Sequence, residues 1–240
     1  MSINHQNERY INRMGLYEAI GQQPPSRVFR CNQAGRIVEA RAITSVDNVP
    51  GLASEISSMF QNCVSQATED DLSILISELL QNCCAHSVAP DQRPFGLVCG
   101  QAWPNGGLAQ IAIVDTGVGI EESLSNNEAL SERLESSSHC QLACEYGITG
   151  KPNSTHSGYG LALAKGLAEQ HSGRLIVLSG NELYICGNGQ NSSVHLNSAW
   201  QGTAIIFEWN VNVALDTGAV YSEWPTPATM EEDEYDEIFD

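Results

Sequence analysis

The sequence predicts an α+β fold: a two-layer sandwich in which helices cover one face of a mixed, mostly antiparallel sheet. Strand-like runs come in pairs joined by short turns, rather than alternating one by one with helices, and this order is typical of hairpins. The runs between these pairs have apolar residues at helical spacing. The 240 residues, 42 % of them hydrophobic, are enough to bury the core of one domain of this kind.

Residues 1–48 are predicted to form an extension that contains a short helix and a β-hairpin. The run NERYINRMGLYEAIG has a helical pattern, which Gly21 and the pair Pro24–Pro25 end. Residues 27–43, RVFRCNQAGRIVEARAI, contain two alternating runs around a glycine-containing turn, as a hairpin requires.

Residues 49–214 are predicted to form the main domain, which begins with two helices, at 49–64 and 70–87. Pro50 suits the first turn of the first helix, where a backbone N–H has no helical partner. The second helix carries an apolar stripe at helical spacing, which we expect to face the sheet. This stripe consists of Leu72, Ile76, Leu79, Leu80 and Cys83.

The main domain continues with a second predicted hairpin, FGLVCGQAW and LAQIAIV, joined by Pro104-Asn105-Gly106-Gly107. Residues 121–157 are rich in Ser, Asn and Glu and are predicted to form a long polar lid, partly helical around 128–144. A predicted helix over 158–173 opens on glycines and ends at Gly173. Four further strand-like runs are RLIVLSG, LYICG, SVHL and GTAIIFEWNV.

The charge of the chain limits the classes of partner. The formal net charge is −18, and residues 215–240 are predicted to form an acidic, disordered tail. A docking peptide anchored by Tyr235, Ile238 and Phe239 is the alternative for this tail. Such a negative surface disfavours nucleic acid and anionic membranes as partners. It also repels nucleotides, so a nucleotide site must be built locally from backbone amides, a divalent cation and a few side chains.

The sequence shows no sign of export or membrane insertion. Its start, MSINHQNERY, is polar, and no apolar run approaches the roughly 20 residues of a membrane-spanning helix. We therefore expect a cytoplasmic protein whose eight cysteines are reduced thiols. His139, Cys140 and Cys144 are close enough in sequence to suggest a metal site, but the lack of a second ligand pair at zinc-site spacing favours helix packing.

Two polar patterns are candidates for chemistry. Glu78, Asn82 and His86 lie four residues apart, so on a helix they form one stripe. The stripe indicates either satisfied polar groups on a core helix or the edge of a site. Asp115 ends a buried strand, and the glycines at 117 and 119 allow the backbone to approach a ligand. Taken alone, such an Asp-Thr-Gly segment is usually an ordinary turn.

Gly158 and Gly160 open a helix, whose N-terminus presents free N–H groups and a partial positive charge to an anion. A dinucleotide-binding motif is excluded, because no strand precedes these glycines and Leu163 stands where a third glycine is expected. YGITGKPN is not a Walker P-loop, since Pro152 replaces the Ser or Thr that would hold magnesium. Thr203, at the start of a strand, could complete a base-binding pocket.

The order of these pieces is more specific than any one of them. Five features follow one another along the chain: Glu-x-x-x-Asn on a helix, Asp-x-Gly-x-Gly, a polar lid, Gly-x-Gly-Leu opening a helix, and Gly-Thr on a strand. This order resembles the N, G1, G2 and G3 boxes of the ATP-binding domain shared by gyrase, the heat-shock chaperones, the histidine kinases and the mismatch-repair ATPases. The resemblance covers about residues 50–212 and implies the Bergerat-type ATP-binding fold. GYGLALAKGLAEQHSG is most similar to the histidine-kinase branch, although Ser172 replaces the glycine that usually follows the position of His171.

The resemblance implies ATP and Mg²⁺ as cofactors and assigns roles to the matching residues. Asn82 would hold Mg²⁺, Glu78 would act as the general base, and His86 would contact phosphate. Asp115 would bind the adenine amino group. The other implied nucleotide-binding residues are Gly117 and Gly119 at the base pocket, Lys151 in the lid, Gly158 and Gly160 at the phosphates, Tyr159 and Leu161 in the same Gly-x-Gly-Leu motif, and Thr203 near the adenine.

Glu78 stands where many histidine kinases have Asn, which favours hydrolysis or phosphorylation of a hydroxyl group. No dimerisation hairpin with a phosphoacceptor histidine precedes the main domain. We therefore expect a stand-alone protein kinase or slow ATPase that regulates a partner protein, similar to the anti-sigma-factor kinases. The alternative is a nucleotide-gated interaction switch with little or no turnover. The sequence does not identify the partner, and it is compatible with a homodimer.

Overall fold

The computed structural model describes residues 5–25, 36–86, 95–151, 158–170 and 172–225. These residues contain a five-stranded sheet of order β1-β2-β3-β5-β4, in which all neighbouring strands are antiparallel. The predicted α+β fold is therefore confirmed. The strands are β1 (Ile37–Ile43), β2 (Gly96–Trp103), β3 (Leu108–Asp115), β4 (Arg174–Gly187) and β5 (Gln190–Asn210). The helices are α1 (His5–Arg13), α2 (Leu16–Ala19), α3 (Val49–Ser58), α4 (Gln66–His86), α5 (Ile120–Ser125), α6 (Ser131–Ser136), α7 (His139–Leu142), α8 (Gly160–Gln170) and α9 (Thr217–Ser222).

The hydrophobic core lies between the sheet and the long helix α4. Every residue of the apolar stripe predicted on α4 is at most 2 % exposed, so the predicted sheet-facing side is confirmed. Three aromatic rings fill the core beside it: Trp209 lies 5.1 Å from Phe60 and 5.8 Å from Phe207, centroid to centroid. This packing fixes α4 on the sheet and therefore fixes the position of its polar stripe.

The second predicted hairpin, β2–β3, is confirmed, but the four strand-like runs after it are two long strands. β4 and β5 form one hairpin with the two-residue turn Asn188-Gly189, whose φ angles of 50° and 75° fit a type I′ turn. The pairing register shifts around Gly180. Because regular apolar alternation stops at this irregularity, the sequence pattern divides each strand into two.

Two helix boundaries differ from the predictions. α3 ends at Ser58 rather than at 64, and α4 begins at Gln66 rather than at 70. The Ser65 hydroxyl accepts a hydrogen bond from the Thr68 N–H at 3.3 Å and so caps α4 earlier than its apolar pattern starts. Of the predicted N-terminal hairpin, the described part is β1, which pairs with β2; the remainder lies outside the described residues.

The predicted start of the acidic tail is wrong, because the chain remains folded after residue 214. Asp216 caps the start of α9, because its carboxylate accepts a hydrogen bond from the Ala219 N–H at 2.8 Å. The Thr217 hydroxyl donates to Asp71 of α4. Val220 is buried against α8. These contacts with distant parts of the chain stabilise a short helix that sequence periodicity does not predict; residues 226–240 lie outside the described residues.

Among the described residues, Cys83, Cys84, Cys99, Cys140, Cys144 and Cys186 form no disulfide bonds. Burial, reinforced by the charge of Glu182, raises the pKa of the Cys140 thiol to about 12. This thiol is therefore protonated and unreactive at neutral pH. Within the described residues, no helix has both the length and the apolar character needed to span a membrane.

Candidate functional site

A cavity lies where the C-terminal end of α4 meets the end of β3, the interior of β5 around Thr203, the first lid helix and the start of α8. The space between its walls measures about 700 Å³, open solvent at its mouth included. The walls contain Asn82, Cys83, His86, Asp115, Gly119, Ile120, Ser123, Leu124, Ala143, Ile148, Thr149, Gly150, Gly158, Gly160, Leu161, Thr203 and Ile205.

Asp115, at the end of β3, is the buried acid of this cavity, with 6 % of its surface exposed. Its Oδ1 accepts hydrogen bonds from the Gly117 N–H at 2.8 Å and from the Thr203 N–H at 3.1 Å. Burial raises the pKa of the carboxyl group, and these two N–H groups partly offset that rise. Among the described residues both bonds go to Oδ1, so Oδ2 remains an acceptor for an amino group on a ligand.

Gly202, the glycine of the Gly-Thr motif, and Ser179, which the sequence did not single out, hold this end of the cavity together. A Cβ on Gly202 would lie 2.4 Å from the carbonyl oxygen of Asp115, so only glycine allows β5 to pass this close. The Ser179 hydroxyl donates to the Gly202 carbonyl at 2.8 Å and accepts from the Ile120 N–H at 2.9 Å. Ser179 therefore ties β5 to the beginning of the lid.

The polar stripe of α4 divides between two sides of the structure. Asn82 and His86 line the cavity, and the His86 Nδ1 is 2.9 Å from the hydroxyl of Ser123 in the lid. Glu78 does not line this cavity but an adjoining groove. A Cβ on Gly160 would lie 2.8 Å from the Asn82 Nδ2 and 3.3 Å from the Glu78 Cβ. The start of α8 is thus packed against α4 at the point between these two side chains.

The glycines that open α8 lie at the same end of the cavity as Asn82. Gly158 has a φ angle of 71°, and a Cβ there would lie 2.4 Å from the carbonyl oxygen of Ile148. Gly160 and Leu161 also form part of the wall. Since α8 starts here, its first N–H groups lack partners from the preceding turn and can serve as anion-binding donors.

Two predicted nucleotide contacts are placed elsewhere. The Tyr159 side chain stacks on Tyr146, at 5.0 Å between ring centroids, and lines the adjoining groove. The Lys151 ammonium donates to the Ala85 carbonyl at the end of α4, and Lys151 is not part of the cavity wall. In this arrangement neither the Tyr159 nor the Lys151 side chain lines the nucleotide cavity. Gly117 contributes its N–H to Asp115 rather than forming a wall.

The protein side chains alone do not form a metal site at this cavity. In the part of the chain that the structure describes, no group of three His, Cys, Asp or Glu residues could hold an ion. Asn82 offers one amide oxygen, which suits Mg²⁺ when substrate phosphates and water supply the other ligands. The residues present therefore fit an ion that arrives with a nucleotide.

The fold and the cavity define a nucleotide-binding α+β domain, with a buried acid at one end and a helix N-terminus at the other. Residues 67–212 match the family model described as histidine kinase-, DNA gyrase B- and HSP90-like ATPase. The match spans more than half of the chain, which therefore belongs to this family of ATP-binding, ATPase- and kinase-like domains. A comparison with curated proteins finds no match.

Proposed function

We propose that this protein is a Mg²⁺-dependent protein kinase that transfers the γ-phosphoryl group of ATP to a hydroxyl group on a partner protein and so regulates that partner. In this respect it would resemble the anti-sigma-factor kinases. Slow hydrolysis, with water as the acceptor, is the same reaction in the absence of the partner.

The adenine end of the site is assigned to Asp115. Its buried carboxylate is held by two backbone N–H groups on one oxygen, which leaves the second oxygen for the adenine amino group. A carboxylate accepts from the 6-amino group of adenine but offers no donor to the 6-carbonyl oxygen of a guanine bound in the same orientation, so this end would favour adenine in that orientation. Thr203 and Gly119 complete the wall around the base.

The phosphate end is assigned to the start of α8, and one contact there carries the proposal. Gly160 lies directly against both Asn82 and Glu78. A phosphate bound to the N–H groups of α8 would therefore be close to the amide of Asn82 and to the carboxylate of Glu78. Phosphoryl transfer depends mainly on such positioning and on charge stabilisation.

Asn82 would hold Mg²⁺ together with the phosphates of ATP, and the ion would neutralise charge on the phosphate oxygens. Glu78 would accept the proton of the attacking hydroxyl group or water. Its position in the adjoining groove, rather than in the cavity, supports an acceptor that approaches from outside the nucleotide site.

The test is the variant Glu78→Gln, which keeps the size of the side chain but removes its basicity. We expect ATP affinity to stay within about twofold and the rate of phosphate release to fall by about 10²–10⁴-fold, the usual contribution of a general base. Glu135→Gln in the lid is the matched control, because Glu135 is exposed and outside both cavities. An unchanged rate in Glu78→Gln, with normal ATP binding, contradicts the assignment.

A second function, the nucleotide-gated switch, is favoured by the lid. Ser123, Leu124, Ala143 and Ile148 all contribute to the cavity wall, so a bound nucleotide would contact the lid directly. Hydrogen exchange of lid amides, with and without ATP, tests this idea. Protection of the lid by ATP together with no phosphate release under any condition would favour the switch over the kinase.

A further inference from the structure

An aromatic groove adjoins the nucleotide cavity on the other side of the start of α8. It is formed by four rings, those of Tyr146, Tyr159, Tyr221 and Trp224. Trp224 lies 4.8 Å from Tyr146, 5.3 Å from Tyr159 and 4.9 Å from Tyr221, centroid to centroid. Tyr159 and Tyr221 are 37 % and 41 % exposed. The groove therefore offers ring faces and edges to solvent beside a closely packed cluster.

Glu78 lies in the wall of this groove, with the buried Leu163 next to it. Gly160 separates the groove from the nucleotide cavity, and its lack of a side chain keeps the two close together. Glu78 can thus face a group that enters the groove, while its Cβ lies beside the start of α8, at the phosphate end of the cavity.

The surroundings of the groove are negative. Burial and the charges of Glu78 and Asp71 raise the pKa of Tyr221, which places both carboxylates near its hydroxyl group. Glu223, the residue that follows α9, is exposed. None of the described residues that form the groove carries a positive charge. Aromatic faces beside carboxylates are the environment that guanidinium and ammonium groups prefer.

We propose that the aromatic groove binds the phosphoacceptor segment of the partner protein, and that this segment carries an Arg or Lys beside the Ser or Thr that is phosphorylated. This inference rests on the proposed kinase function and specifies its substrate. The cationic side chain would lie on the exposed rings, and the neighbouring hydroxyl group would reach Glu78.

The reaction balances without a further reactant. The hydroxyl oxygen forms a bond to the γ-phosphorus of ATP, and the bond from that phosphorus to the β,γ-bridging oxygen breaks. The hydroxyl proton passes to Glu78, and ADP leaves. The products are ADP and a phosphorylated Ser or Thr.

The acidic C-terminal residues of this chain are a poorer occupant of the groove than a basic segment. The described chain leaves the groove at Pro225, and the last ten residues, EEDEYDEIFD, contain seven acids. Glu78 and Asp71 would repel such a segment, whereas a basic segment is attracted by both. Attraction of this kind also weakens with salt, which gives a measurable signature.

The experiment measures fluorescence anisotropy of three labelled dodecapeptides with the full chain, Mg²⁺ and a non-hydrolysable ATP analogue. The peptides share one Ser and differ only in two flanking residues, which are Arg, Gln or Glu. We expect the Arg peptide to bind at least about tenfold more tightly than the Gln peptide. Its affinity should fall as the salt concentration rises. Equal binding of the three peptides overturns the proposal.

Variants locate the binding site. Tyr221→Leu removes an exposed ring, and Ser222→Arg places a positive charge in the groove wall. Each variant should lower the affinity for the Arg peptide about three- to tenfold. Trp200→Leu is the control, since Trp200 is 40 % exposed and outside the groove. Analogue affinity, titrated separately, should be unchanged in all three. Loss of peptide affinity in Trp200→Leu alone, or in no variant, overturns the proposal.

A shortened chain that ends at Pro225 distinguishes two possible occupants of the groove, the partner segment and the protein's own tail. We expect the shortened chain to bind the Arg peptide with equal or lower affinity, because it lacks attracting acids. Tighter binding would show that the tail fills the groove and would overturn the proposal. Arg-dependent binding with the analogue, but no phosphoryl transfer to the peptide when ATP replaces the analogue, leaves the groove assignment intact and refutes the kinase function, so the two failures are distinguishable.

Discussion

The variant Asp115→Asn gives the sharpest test of the adenine assignment, because the structure separates the two oxygens of this side chain. Oδ1 accepts from Gly117 and Thr203. An Asn side chain can keep that oxygen in place and put its amide nitrogen where Oδ2 was. The fold should therefore survive, while a charged acceptor for the adenine amino group is replaced by a donor.

The expected loss follows from two contributions. A hydrogen bond to a charged group contributes about 1.5–3 kcal/mol, and a buried donor left facing another donor costs about 1–3 kcal/mol more. Together they amount to about 4 kcal/mol, which corresponds to about a 10³-fold weaker ATP affinity. GTP carries a carbonyl oxygen in place of the amino group, so its affinity should not fall, and the preference for ATP over GTP should collapse.

Isothermal titration calorimetry with ATP and with GTP measures both affinities. Thermal unfolding provides the control for folding. Because burial raises the pKa of Asp115 above its unfolded value, the ionised carboxylate costs stability at neutral pH, and a neutral Asn should not lower the melting temperature. A folded variant that binds ATP as tightly as the wild type would refute the placement of adenine at Asp115.

Two further predictions follow from the same geometry. Because the pKa of Asp115 is raised, its carboxylate is protonated at a higher pH than an exposed aspartate; ATP affinity should therefore fall on acidification, through that raised pKa, and calorimetry from pH 8 to pH 5 measures the fall. Asp115→Asn should show no such dependence, and a parallel fall in both proteins would contradict the prediction. Ser172 has a φ angle of 53°, in the region that favours glycine, so Ser172→Gly should stabilise the protein by up to about 1 kcal/mol in urea unfolding. A lower midpoint in Ser172→Gly than in the wild type would show that this backbone conformation is not strained.

The parts of the fold that could be predicted from sequence are those determined by local patterns. The apolar stripe of α4 repeats at helical spacing and fixed both the buried side and the polar stripe with Asn82 and His86. The pattern at the end of β3, an acid followed by glycines, is equally local and predicted a candidate site there. For these elements the sequence pattern and the packing agree, because the apolar face of an amphipathic helix is buried against the one sheet that the described residues form.

The parts that could not be predicted depend on contacts between distant residues. Ser179 looks like an ordinary strand residue, and its role arises only because β4 and β5 bring it to Gly202 and the lid. α9 is too short to show a period and is stabilised by Asp71, far away in the chain. The aromatic groove combines rings from the lid, from the start of α8 and from α9, and no sequence spacing relates them.

The central claim is that ATP binds with its adenine at Asp115 and its phosphates at the start of α8. A crystal structure of the protein with Mg²⁺ and a non-hydrolysable ATP analogue tests this claim most directly. We predict the adenine amino group within hydrogen-bonding distance of the Asp115 carboxylate, and the γ-phosphate at the N–H groups of Gly158 and Gly160, beside Asn82. A nucleotide bound in the reverse orientation, or outside this cavity, would contradict the account.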